Sequence, residues 1–177
     1  STGSPQAAEE SLHYLGKVAL DQKDAGNVME RPISEVIREL DPPPPGLTVL
    51  VEPSDNIGAG APGDGTGILR AVIEQKIPNA AVCINDPRAV KRLESVKRGE
   101  IVWLPMGGLG SKLDKGPVIV EVELVSHWSG LFELEDKNSH LASMCGSTYD
   151  MGPCAVVRHG GVTILLTSRR TPPFDLG

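Results

Sequence analysis

Aromatic side chains are almost missing. Two Phe, two Tyr and two Trp make up 3% of 177 residues, so a core must rest on Val, Ile, Leu and Ala. Cysteine is also scarce: Cys83, Cys145 and Cys154 stand at irregular spacings, which excludes a disulfide framework and a Cys-x-x-Cys pair. No run approaches the roughly 20 apolar residues of a membrane-spanning helix, and no charged segment followed by an apolar one marks a secretory signal. These absences point to a reducing, cytoplasmic setting without a membrane partner. Positive charge is in deficit too, with 17 Lys and Arg against 23 Asp and Glu. Nucleic acid is therefore not an expected partner, because neutralising phosphates takes clustered Lys and Arg. The one basic run, Lys91, Arg92, Lys97 and Arg98, has the spacing of a solvated helix face.

What is present fits one soluble domain. The 40% hydrophobic content suffices for a core, and the length matches a typical domain of roughly 100–200 residues. Residues 1–4, Ser-Thr-Gly-Ser, read as a flexible lead-in or cloning remnant, leaving 5–177 as the domain. Residues 5–24 carry helical periodicity, and Ser34–Leu40 reads as a short helix capped by Ser34. Asp41 and Pro42–Pro45 end it, since proline lacks an N–H donor. Leu47–Val51 is a short apolar run, expected as a strand covered on both faces.

Thr66–Lys76 follows as a helix with Ile68, Leu69, Val72 and Ile73 on one stripe, and Ala80–Ile84 as a buried strand. Asp86 then caps a helix that starts with Pro87 and runs to about Lys97. Glu100–Leu104, Pro117–Val125, Leu131–Leu134, Ala155–Arg158 and Val162–Thr167 are further strands, the last two joined through His159-Gly160-Gly161. Strand alternating with helix and then a run of strands predicts an α/β fold. The expectation is a mainly parallel sheet flanked by helices, with an added antiparallel β portion.

The segment richest in chemistry is the loop from Pro53 to Thr66. Its glycines let the backbone approach a ligand or a neighbour, while Asp55, Asn56 and Asp64 supply polar groups. Gly58, Gly60 and Gly63 satisfy G-x-G-x-x-G, with Asp86 about twenty residues on as a dinucleotide fingerprint asks. Their placement argues against a nucleotide-binding domain: six residues separate Val51 from Gly58, and Pro62-Gly63 is poor helix interior. No Gly-Lys-Ser/Thr completes a Walker loop. The loop therefore either borders a functional site or packs against another domain.

The run from Asp55 to Thr66 resembles the Asp-Asn-x-Gly-Gly-Gly-x-Pro-Gly-Asp-x-Thr signature of the C-terminal domain of the MlrC (microcystinase C-like) metallopeptidase family. Ile84–Val90, Leu104–Gly108 and Leu165–Arg170 follow in the family's order. Ala59 departs from it, standing where the family has glycine, and related proteins continue beyond the position of Gly177. The resemblance implies a zinc-dependent peptidase or amidohydrolase acting on small peptides. It implies that zinc sits mainly in a preceding N-terminal metallopeptidase domain of the same protein, this chain's expected partner. Asp55 and Asn56 are then the candidates that complete the site from this side, supported by Gly58, Gly60, Gly63, Asp64 and Thr66. On this expectation the chain alone is inactive. The alternative is a non-catalytic binding or scaffold domain.

Other constellations are weaker. His13, His127, His140 and His159 are scattered, without the paired spacing of a zinc site. Cys83 reads as a buried, inert thiol and Cys145 as a loop thiol, although His140 lies five residues before Cys145. Ser168-Arg169-Arg170 either grips an anionic group or pairs with the protein's own acidic excess.

Overall fold

The structure, a computed structural model, describes residues 3–27, 29–40 and 42–171. Ser1 and Thr2 of the lead-in and Asp41 of the helix stop lie outside the described residues. The chain divides into two compact units between Pro32 and Ile33. In the first, Ser4 caps helix α1 (Pro5–Asp21) by accepting from the Ala7 N–H, and Pro5 occupies a first-turn position that needs no donor. A single-turn helix, α2 (Lys23–Gly26), follows. Helix α1 buries none of its residues, and Leu12, Leu15 and Leu20 are exposed.

The second unit holds the core. Its elements are α3 (Ile33–Arg38), α4 (Gly67–Glu74), β1 (Ala80–Asn85), α5 (Pro87–Leu93), β2 (Ile101–Met106) and β3 (Val118–Trp128). They continue with β4 (Leu131–Glu133), α6 (His140–Cys145), β5 (Thr148–Asp150), β6 (Cys154–His159) and β7 (Val162–Thr167). Five strands form one sheet in the order β1-β7-β6-β3-β2, while β4 and β5 form a separate pair. Alternation sets the inner face: Leu104 and Met106 of β2, Val118, Val122 and Leu124 of β3, and Ile164 and Leu166 of β7 are buried. Helices α3, α4 and α5 add Ile37, Leu69, Val72, Val90 and Leu93 to the same cluster. Removing such side chains from water supplies the main driving force for folding, at about 25 cal/mol per Å² of apolar area.

The α/β class is as the sequence predicts, and the sheet is mixed. Among the described residues, parallel pairing is confined to β1 and β7; β2–β3, β3–β6 and β6–β7 are antiparallel. The order β1-α5-β2 reads locally as a unit with adjacent parallel strands, yet β1 and β2 stand at opposite edges. The three later strands lie between them. The His159–Val162 hairpin, with only Gly160-Gly161 as its loop, forces β6 and β7 into an antiparallel pair.

Three further expectations are corrected. Leu47–Val51 forms no strand, and Leu47, Val49 and Val51 are exposed rather than covered. Helix α3 starts one residue early, so Ser34 lies within it rather than capping it. Helix α5 ends at Leu93 rather than near Lys97, followed by turns and a left-handed Gly99 (φ +85°). Asp86 does cap α5, accepting from the Arg88 and Ala89 N–H groups.

The turn that follows β2 packs against Ile84 of β1 and the glycine-rich loop. Gly107 adopts φ +64°, and a Cβ there would lie 2.5 Å from the Asp64 carbonyl oxygen and 3.2 Å from Ile84 Cγ2. Gly107→Ala should therefore cost about 3 kcal/mol or more, from left-handed strain plus overlap. That corresponds to roughly 6–12 °C in a thermal melt. Gly46→Ala is the control: its φ is +95°, but a Cβ there meets nothing within 4 Å. Equal melting shifts for the two variants would contradict this packing.

Candidate functional site

No strand leads into the glycine-rich loop. Residues 53–60 instead form two 3-10 turns, Pro53–Asp55 and Ile57–Ala59, the second closed by Gly60 at φ +93°. Between them Asn56 is exposed, and its side-chain oxygen accepts from the Gly58 N–H at 2.9 Å. The next five residues are drawn back onto the first turn. Asp55 accepts from Gly63 N–H at 2.8 Å with one oxygen and from Gly65 N–H at 2.6 Å with the other. The Gly63 carbonyl in turn accepts from Asn85 N–H at 2.7 Å, fixing the loop to the carboxyl end of β1.

Asp64 repeats the device toward β2. It is 7% exposed, its carboxylate accepts from Leu109 and Gly110 N–H, and its carbonyl accepts from Gly108 N–H. Asp86 bridges the same region, accepting from Gly107 N–H at 2.9 Å as well as capping α5. Thr66, 1% exposed, donates through its N–H and its hydroxyl to Asp114, both at 2.7 Å. Arg70 completes this corner, with Nε donating to the Thr66 oxygen and Nη2 to the Gly116 and Pro117 carbonyls. Burial alone would raise the Asp114 carboxyl. The N–H and hydroxyl of Thr66, the Gly116 N–H and the Arg70 charge outweigh it, holding that carboxyl below its ordinary value.

The loop thus stands as a braced ridge between two open clefts. The larger, about 530 Å³, is lined by Ser54, Asp55, Thr66, Arg70, Asp114 and Lys115 among others. The smaller, about 440 Å³, has Asn85, Arg88, Leu109 and Arg170 on its walls. Asp64 borders both. Of the residues singled out in the sequence, Asp55, Gly63, Asp64 and Thr66 come together at the inner base of the ridge. Asn56, Gly58 and Gly60 lie on its exposed outer turn. Sequence reasoning missed Arg70 and Asp114; the only signal for Asp114 is the Asp-x-Gly pattern of Asp114-Lys115-Gly116, an Asx turn that the Gly116 N–H closes.

The other constellations resolve differently. Arg169 pairs with Asp150, so one arm of Ser168-Arg169-Arg170 meets the protein's own acid. Arg170 lines the smaller cleft and donates to the Gly60 carbonyl at 3.4 Å. His140 and Cys145 occupy opposite ends of the six-residue α6, roughly 7.5 Å apart along the axis at 1.5 Å per residue. The Cys145 thiol faces the Leu141 carbonyl instead. Cys83 is half-buried, and burial, with Cys154 adding to it, pushes its thiol up to about 11. Helix α4 opens at Gly67, beyond the last glycine of the Gly58-Gly60-Gly63 pattern, so the strand-turn-helix cradle of a dinucleotide site is not formed.

Zinc requires three or four His, Cys or carboxylate donors. Among the described residues no group of three or more is so placed, and the carboxylates of the ridge are engaged by backbone N–H groups. These residues do not fit a self-contained zinc site. No helix of the described residues is long and apolar enough to cross a membrane.

A family model described as MlrC C-terminus matches residues 50–177. A crystal structure from Mesorhizobium sp. BNC1, described as a "putative metallopeptidase", superposes with a TM-score of 0.72 at 21% identity. The match covers 89% of this chain and 31% of that one, so this chain spans under a third of the longer protein. No curated protein matches the chain.

The Asp114 bracket has a defined pH signature. A carboxylate lowered in the folded state contributes its full stabilisation above the unfolded value of about 3.9, and loses it as pH falls from there through the folded value. Asp114→Asn is expected to destabilise the protein at pH 7 by about 2–3 kcal/mol, as befits lost bonds to a charged acceptor. The gap between variant and parent should narrow below about pH 4. Urea midpoints at pH 7 and pH 3 that differ equally between the two proteins would contradict the assignment.

Proposed function

The chain belongs to the MlrC C-terminus family, and from that premise we propose that it serves as the C-terminal domain of a zinc-dependent peptidase or amidohydrolase acting on small peptides. On this reading the zinc is held by a preceding N-terminal domain of the same protein, and the ridge from Asp55 to Thr66 borders the active site from the other side. The chain alone is then inactive. Its setting is cytoplasmic, in keeping with its three free cysteines.

The observation that carries this reading is the ridge itself. Residues matching the family signature are not a loose connector; they are pinned between two clefts by carboxylate-to-backbone bonds. A pre-formed wall suits an active site, because groups already in place need no ordering when substrate arrives. Asp55 and Asn56 then take separate roles. Asp55 uses both oxygens inside the loop and acts by positioning. Asn56 is exposed at the turn, with its side-chain oxygen held by Gly58, and can offer its amide N–H to a substrate carbonyl.

One observation favours the second reading, a non-catalytic scaffold. The carboxylates of Asp55 and Asp64 are taken up by loop N–H groups, which gives them a bracing role rather than a reactive one.

Asn56→Asp in the full-length protein separates the two. It keeps the oxygen that Gly58 needs and removes the amide donor. The catalytic reading expects kcat/KM on small peptides to fall about tenfold or more, equivalent to about 1.4 kcal/mol of transition-state binding, with little change in melting temperature. Undiminished turnover would leave the scaffold reading.

A further inference from the structure

Leu47-Thr48-Val49-Leu50-Val51 has the composition of a strand and the pairing of none. Four of its five residues are Leu or Val and the fifth is β-branched, the make-up enriched in sheets. Only Leu50 is shielded from solvent, and Thr48 is exposed with the rest of the run. Leu50 packs against the core, while Leu47, Val49 and Val51 are 92%, 70% and 81% exposed. Among the described residues, no backbone N–H or carbonyl of 47–51 takes part in a hydrogen bond. Isolated exposed apolar residues are ordinary, but three within five residues, on a segment with unpaired donors and acceptors, make an open edge. Natural edges are blunted with Lys, Pro or a bulge, and residues 47–51 contain no charge and no proline.

We infer that residues 47–51 are a β-strand that pairs with an edge strand of the polypeptide preceding this domain in the longer relatives. Two observations select that occupant. The family is defined as a C-terminus, and the chain spans only 31% of the Mesorhizobium protein, leaving more than two thirds of that chain to supply a sheet. Strand addition satisfies the free backbone groups and covers Leu47, Val49 and Val51 in one step. It also has a consequence for the site. Glu52 and Ser54, just beyond the strand, line the larger cleft, so pairing brings the preceding polypeptide to the mouth of that cleft. The inference rests on the two-domain reading above.

Amide hydrogen exchange on the full-length protein and on the 177-residue chain tests it. In the full-length protein the amides of residues 47–51 are expected to exchange about a hundredfold more slowly than in the 177-residue chain. Val49→Pro should abolish that protection, because proline removes a ladder donor. It should leave the melting temperature of the 177-residue chain unchanged, since no hydrogen bond of Val49 is lost there. Equally fast exchange at 47–51 in both proteins overturns the inference. If Ser111 and Lys115 on the cleft wall still gain protection, the two-domain reading survives that result; if they do not, it falls as well. Protection in the 177-residue chain that grows with concentration assigns the strand to a second copy, and overturns the inference too.

Discussion

The structure depends on carboxylates that accept from loop N–H groups. A glycine-rich segment without regular secondary structure leaves donors that a ladder or a helix would otherwise pair, and an unpaired buried donor is costly. Here four aspartates meet that need. Asp55 takes Gly63 and Gly65, Asp64 takes Leu109 and Gly110, and Asp86 takes Arg88, Ala89 and Gly107. Asp114 takes Thr66 and Gly116. Each bond to a charged acceptor is worth about 1.5–3 kcal/mol. Together they tie the loop to the ends of β1 and β2, at opposite edges of the sheet.

This arrangement explains why the acidic residues that look most catalytic in the sequence are not free ligands. A carboxylate held by two backbone donors is a poor candidate to coordinate a metal in the same geometry, and the described residues offer no three-donor group. What the ridge offers instead is shape: two clefts, an exposed Asn56 at its crest and Arg170 on one flank. On the proposed function the reactive centre comes from elsewhere in a longer protein; this chain spans under a third of its structural relative.

Local features were legible in the sequence and non-local ones were not. The Asp86-Pro87 start of α5 and the Gly160-Gly161 hairpin depend on neighbours two or three residues away, and both stand where the pattern put them. Sheet order depends on which distant strands meet. The alternation β1-α5-β2 gave no hint that β7, more than seventy residues later, would pair with β1. Leu47–Val51 shows the limit from the other side, since strand composition is satisfied without a partner in this chain. At the site, the signature marked Asp55–Thr66, whereas Asp114 reaches Thr66 across 48 residues and left only a turn pattern to find it.

Asp55 makes this loop rigid before anything binds, and amide exchange at Gly63 and Gly65 in the 177-residue chain measures that rigidity directly. Both amides are expected to be protected, and Asp55→Asn to speed both by about a hundredfold while core amides such as Leu104 stay slow. Exchange at the rate of an unstructured peptide in the parent protein, or protection unchanged by Asp55→Asn, would contradict it.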